Sequence, residues 1–354
     1  MTLPAYRIGE TYDWNYEHAP SPTRDLRIPA CPGTWDFCGT PTGSPLGVPA
    51  GPLLNSRWIL YYAALGFDVL TYKTVRSVAR PSYPLPNLLP VESEPTAGTT
   101  SVTAAAAADR WDSWAISFGM PSKDPRMWQE DVEAARHALP AGKILVVSVV
   151  ASPQTGWSVD RIAADFERCA GHARDAGAHA IEANLSCPNV STQEGSLFQS
   201  AEASGAVAAA IRHRVPDLPL VLKVGTFDHR EQAAAVVAAV APHAAAISTT
   251  NTVAALVKDA SGAPLFGGQK RGIGGGAIRT RCLAELIMLR EIIVELGVGL
   301  PLIGVGGIAS AADAIERLTA GAHHVQIATA AMLNPAIGID IRDALARRAA
   351  VAAV

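Results

Sequence analysis

From about residue 45 the chain alternates short apolar runs with longer amphipathic runs rich in Ala, Glu and Arg, which is the pattern of successive βα units. The strand candidates are PLGVPAG (45–51), DVLTYK (68–73), ILVVSVV (144–150), AIEANLS (180–186), LVLKV (220–224), AAAIST (244–249), PLIGVGG (301–307) and HVQIATA (324–330). Between them lie helix candidates such as DPRMWQEDVEAARHAL and SVDRIAADFERCAGHARDAG, several opened by Ser or Asp and closed by Gly. Eight strands, each followed by a helix, predict an α/β fold of the (β/α)8 TIM-barrel type, whose active sites sit at the C-terminal ends of the strands. A doubly wound sheet is the alternative, but its Gly-rich turn belongs after the first strand, and here the Gly-rich loops come late.

Three segments break the rhythm. Residues 1–44 are Pro-rich and aromatic and read as an N-terminal extension capping one end, leaving 45–354 as the barrel. Residues 76–126 form a long insertion between strand two and its helix, on the catalytic side, where such insertions are more often functional than idle. The third, TNTVAALVKDASGAPLFGGQKRGIGGG, follows strand six on the same side.

A formal net charge of −3 without a long charged block argues against a nucleic-acid partner and leaves a small molecule as the expected ligand. Five scattered cysteines lack the paired spacing of zinc or iron–sulfur sites, and predict a reduced, cytoplasmic protein without a metal. No signal-peptide pattern or apolar run of membrane-spanning length is present, so no membrane association is expected.

The chemistry gathers at strand ends. In AIEANLS the period of two sends Glu182, Asn184 and Ser186 to one side and Ile181, Ala183 and Leu185 to the other, where the apolar set suits the helix layer. Asn184 then sits at the barrel mouth, and Pro188 ends the strand so that Cys187 and Asn189 arch over it. Two amides can read the edges of a flat heterocycle, and a thiol between them can act as base or nucleophile. The competing reading is a buried, inert cysteine in a proline turn. Lys73 and Lys223 end strands two and five; either alone is an ordinary solvated lysine, whereas the two together suit an anion or an electron-rich ring. GVGGIAS and QIATAAM supply closely spaced backbone N–H groups after strands seven and eight, the usual phosphate site of such barrels. His323 and His324 have no third ligand at metal spacing and read as structural.

NLSCPN, followed in order by LVLKVGTF, TNT, GGGAIR, GVGGI and QIATA, resembles the dihydroorotate dehydrogenase family of FMN-containing barrels over roughly residues 45–345. The resemblance implies FMN, with its phosphate on backbone amides of Gly306, Gly307, Ala328 and Thr329 and with Gly274 nearby. It implies that Ala50, Gly51, Lys73 and Thr74 line the flavin. Lys223 matches the lysine that stabilises negative charge on the reduced ring. Asn184, Asn189 and Asn251, with Thr252 beside the last, match the amides that bind the pyrimidine, and Cys187 matches the catalytic base of cytosolic class 1 members. The implied reaction is oxidation of dihydroorotate to orotate in pyrimidine biosynthesis, by a homodimer.

Two departures bear on the substrate. The family places an Asn in the strand-two insertion to grip the substrate carboxylate; in WAISFGMPS that position is Ile116, while Gly119 remains. Lys73 is left to meet a carboxylate. VSTQEGSLFQS also lacks the family's Pro-Gly turn, and residues 1–44 match no motif. A related flavoenzyme acting on another cyclic amide or enone is therefore the second expectation, and an idle barrel binding a phosphorylated ligand the third.

Overall fold

The computed structural model describes residues 3–23, 26–92, 101–105, 112–186 and 196–352. Cys187 and Asn189 lie outside the described residues. In chain order, helix α1 (Tyr12–Glu17) precedes strands β1 (Trp35–Phe37), β2 (Thr40–Thr42) and β3 (Leu46–Val48), then α2 (Ser56–Ala64) and β4 (Val69–Val75). Strands β5 (Leu88–Pro90), β6 (Ser101–Thr103) and β7 (Ser113–Ile116) follow, then α3 (Pro125–Ala138), β8 (Ile144–Val149), α4 (Val159–Asp175) and β9 (Ala180–Asn184). The chain continues through α5 (Ala201–Arg214), β10 (Leu220–Lys223), α6 (Arg230–Val240), β11 (Ala246–Thr249), β12 (Val253–Lys258) and β13 (Arg271–Gly275). It ends with α7 (Arg279–Glu295), β14 (Leu302–Val305), α8 (Ala311–Thr319), β15 (His324–Gln326), α9 (Thr329–Leu333) and α10 (Ile337–Ala352).

Strands β3, β4, β8, β9, β10, β11, β14 and β15 pair in parallel and close into a barrel. These are the eight strands expected from the apolar runs, and the fold is a (β/α)8 barrel. The strands read as continuous apolar runs because both faces are buried. Ile181, Ala183 and Leu185 face the helix layer, in the same apolar cluster as Phe166 of α4 and Val207 of α5. Inward, Val69, Ile144, Val146, Ala180, Val221, Ala246 and Ile303 form a second cluster filling the lower barrel. The helices start where short polar side chains satisfy free backbone N–H groups: Asn55, Asp124, Ser158, Ser200 and Ser310 cap α2, α3, α4, α5 and α8. Gly177, at φ 92°, turns the chain out of α4 into β9.

Residues before β3 pack in two places. Strands β1 and β2 form a hairpin whose Phe37 joins the inner apolar cluster, and His324 of β15 bonds the Asp36 carbonyl at 2.6 Å. Burial lowers the His324 pKa, which favours the neutral ring in its role as a structural group. Helix α1 sits instead by the C-terminal end of β4, where Tyr12 and Tyr16 share a small cavity with Lys73, Thr74, Lys123 and Trp128.

The two loop segments on the catalytic side are not simply loops. They pair into one five-stranded sheet ordered β5-β7-β13-β12-β6. Here β13 lies antiparallel between β7 and β12, with Gly272 opposite Ile116 and Ile273 opposite Ala115. The sheet was hidden in the sequence because RGIGG has the composition of a loop. Pairing on both edges makes it a strand. No helix among the described residues is long and apolar enough to cross a membrane.

Candidate active site

Alternation along the barrel strands points Lys73, Ser148, Glu182, Asn184, Lys223, Ser248 and Gln326 inward, above the apolar floor. All are buried. Register fixes their neighbours: Lys223 lies beside Asn184 on one side and Ser248 on the other, and Glu182 lies beside Ser148.

Several of the expected residues come together. The Asn184 amide donates to Thr74 Oγ1 at 3.3 Å, and Thr74 Oγ1 lies 3.0 Å from Ser148 Oγ. The Asn251 amide donates to Asn184 Oδ1 at 3.3 Å and also to the Ser186 carbonyl. Asn251 follows β11 and Asn184 ends β9, so strands on either side of Lys223 deliver two amides to one rim. Lys223 Nζ lies 3.9 Å from Glu182 Oε1 and makes no hydrogen bond among the described residues.

The loops after β14 and β15 also converge on one feature. The backbone N–H groups of Gly306, Gly307, Ala328 and Thr329 donate no hydrogen bond among the described residues. Thr329 Oγ1 lies 3.6 Å from where a Cβ on Gly274 would stand, so the Gly-rich strand β13 meets the last loop. The glycines at 306 and 307 have a second reason to be glycine. Both have positive φ, and a Cβ on Gly307 would stand 2.2 Å from Arg279 Cα, while one on Gly306 would stand 2.6 Å from Cys282 Sγ. Close packing against the start of α7, as much as access for a ligand, requires them. Burial pushes the Cys282 thiol up to about 12, which rules it out as a base at neutral pH.

The donor set fits a phosphorylated, planar, polar cofactor of the kind the family resemblance implies. Four unpaired N–H groups suit a phosphate. Buried Ser248 Oγ, Thr252 Oγ1 and Gln326 Oε1 have no hydrogen-bond partner among the described residues, and such atoms require one. A Cβ on Gly51 would meet no atom within 4 Å, and Ala50 beside it is buried at the same rim.

The strand-two insertion places Ile116 and Gly119 above the mouth. Ile116 is half-buried and packs with the barrel-side core, as does Trp114, whereas Ala115 belongs to the opposite face with Ile273. Ile116 Cδ1 lies 3.2 Å from the position of a Cβ on Gly274, so Ile116, paired with Gly272, reaches diagonally over the next glycine on the same face of the sheet. Gly119 has φ 74°, and a Cβ there would run into the Tyr83 ring at 2.6 Å.

Four contributing residues carry no role in the sequence pattern. Glu182 was placed inward by its period but assigned no partner. Tyr83, against Gly119, carries no local signal. Arg281 and Glu285, an i, i+4 pair on α7, clamp the backbone of Phe227 just after β10, with N···O distances of 2.8 and 3.0 Å.

Comparison with known proteins places the chain in one family. The family model for dihydroorotate dehydrogenase matches residues 34–348. The dihydroorotate dehydrogenase of Dictyostelium discoideum is 32% identical over 360 residues, covering 96% of each chain. The dihydroorotate dehydrogenase (quinone) of Burkholderia thailandensis is 28% identical, covering 91% of this chain and 86% of its own. Among solved structures, the Eimeria tenella dihydroorotate dehydrogenase in complex with ferulenol superposes with a TM-score of 0.76 over 97% of this chain and 90% of that one. At 16% identity this likeness concerns the fold.

Proposed function

Because the chain belongs to the dihydroorotate dehydrogenase family, whose members are FMN-dependent oxidoreductases acting on CH–CH bonds, we propose that it oxidises dihydroorotate to orotate with Cys187 as base. Bound FMN would supply the hydride acceptor. Gly306, Gly307, Ala328 and Thr329 would hold the phosphate by backbone amides, with Ala50, Gly51, Lys73, Thr74 and Gly274 around the ring. Asn184, Asn189, Asn251 and Thr252 would orient the pyrimidine by its donor and acceptor edges. Lys73 would meet the carboxylate. Cys187 would take the proton from the carbon next to the one losing hydride, and Lys223 would stabilise negative charge arising beside it. The observation that carries this reading is the meeting of Asn184, Asn251 and Lys223 at one rim, three strand ends delivering the amides and the cation to one place.

One observation favours a second substrate. Ile116 packs toward the barrel, where the family uses an Asn to bind a carboxylate. A ring without that carboxylate, such as another cyclic amide or an enone, would suit the apolar surface better. Steady-state assays with dihydroorotate and a panel of acceptors (fumarate, a quinone, a nicotinamide and oxygen) separate the readings. Orotate formed with any acceptor supports the first; flavin-containing protein that forms none with any of the four supports the second.

A further inference from the structure

Glu182 is a buried carboxylate with 1% of its surface exposed, in the middle of a barrel. Of its neighbours, Val221 on one strand and Ala180 below it are apolar and Ser148 on the other strand is a small hydroxyl, so an uncharged residue would satisfy packing there without the desolvation of an anion. The one cation within 4 Å of it, among the described residues, is Lys223, at 3.9 Å. That distance is too long for a hydrogen bond, so Glu182 acts on the ammonium by charge and leaves its three donors available to a ligand. Glu182 Oε1 has no hydrogen-bond partner among the described residues.

We propose that Glu182 is a positioning residue for Lys223: from the strand alongside, it sets a counter-charge beside the ammonium that would face the flavin, cancelling part of its charge. The pair together presents a cation with a built-in counter-charge. The negative charge that reduction brings to the flavin is therefore stabilised less than a lone buried lysine would stabilise it, and the flavin keeps a lower midpoint potential. This inference rests on the flavin reading above.

The test is the two-electron midpoint potential of the bound flavin, measured by spectroelectrochemical titration. Glu182→Gln removes the counter-charge while keeping shape, and is expected to shift the reduction equilibrium at least tenfold toward the reduced form, about 30 mV upward. In a Lys223→Met background the same substitution should shift it less than twofold, because a buried carboxyl without a cation is protonated and already neutral. An unchanged potential in flavin-loaded Glu182→Gln, or an equal shift in the Lys223→Met background, overturns the proposal. If Glu182→Gln does not retain flavin, Glu182→Asp decides: a smaller upward shift supports the coupling, and none or a downward one refutes it. Wild-type protein that binds no FMN would refute the flavin reading instead, so the two failures are distinguishable.

Discussion

At the scale of single residues, the account turns on Cys187 and Ile116. If Cys187 is the base, Cys187→Ala should retain its FMN and lose reduction of the flavin by substrate. A thiol titrates near pH 8.5, so the wild-type reduction rate should rise with pH toward that value and level off above it. Rapid mixing without oxygen reads both; an alanine variant reduced at the wild-type rate would mean that the proton leaves by another route. At Ile116 an amide would donate to a carboxylate, a charge-assisted bond of about 1.5–3 kcal/mol, so Ile116→Asn should tighten orotate at least tenfold in a direct binding titration. Unchanged orotate affinity would mean that position 116 does not reach the ligand. Residue identity carries part of the site in advance: the period of two turns Asn184 inward, where it bonds Thr74 and Asn251. It could not supply the pairing of Lys223 with Glu182, which depends on the register between β9 and β10 and so on a hydrogen-bonding partner distant in sequence.

At the scale of elements, the barrel strands were legible and the capping sheet was not. Each barrel strand is a local apolar run with a capped helix after it, so local pattern suffices. Strand β13 has Gly at 272, 274 and 275, and one of its two partners, β7, lies far earlier in the chain, which no local pattern records. Helix α7 also carries a nonlocal task. Its Glu285 accepts from Phe227 N after β10, and burial raises its pKa from 4.5 to about 7. A raised acid binds its proton more tightly in the folded state. That contribution is fully present below pH 4.5 and is lost as pH rises through about 7. Glu285→Gln keeps the acceptor without the charge, so it should abolish this loss and be more stable than wild type above pH 7 by up to about 3 kcal/mol. Urea unfolding at pH 5 and pH 8 checks the sign: a variant that is relatively less stable at pH 8 than at pH 5 would contradict it.

At the scale of the whole molecule, the end of the chain is tied to the start of the barrel. Arg342 of α10 is buried; it donates to the carbonyls of Gly66 and Pro29 at 2.6 and 2.9 Å and pairs with the Asp68 carboxylate, which Lys143 also meets at 2.8 Å. Removing one side of such a pair leaves a buried charge short of a partner, so Arg342→Met should lower stability by about 3 kcal/mol, read as a lower urea midpoint. A loss below about 1 kcal/mol would show that Lys143 and Ser44, whose hydroxyl donates to Asp68 at 2.5 Å, satisfy the carboxylate unaided. The barrel, its plugging hairpin and its capping sheet together leave one mouth where amides, lysines and unpaired backbone N–H groups converge. We propose above that this mouth oxidises dihydroorotate on bound FMN. It is tested most directly by mixing the purified protein with dihydroorotate in the absence of oxygen and following the flavin absorbance. A yellow protein that bleaches and releases one orotate per flavin is the expected result; a yellow protein that keeps its colour, or a colourless one, would overturn the proposed reaction.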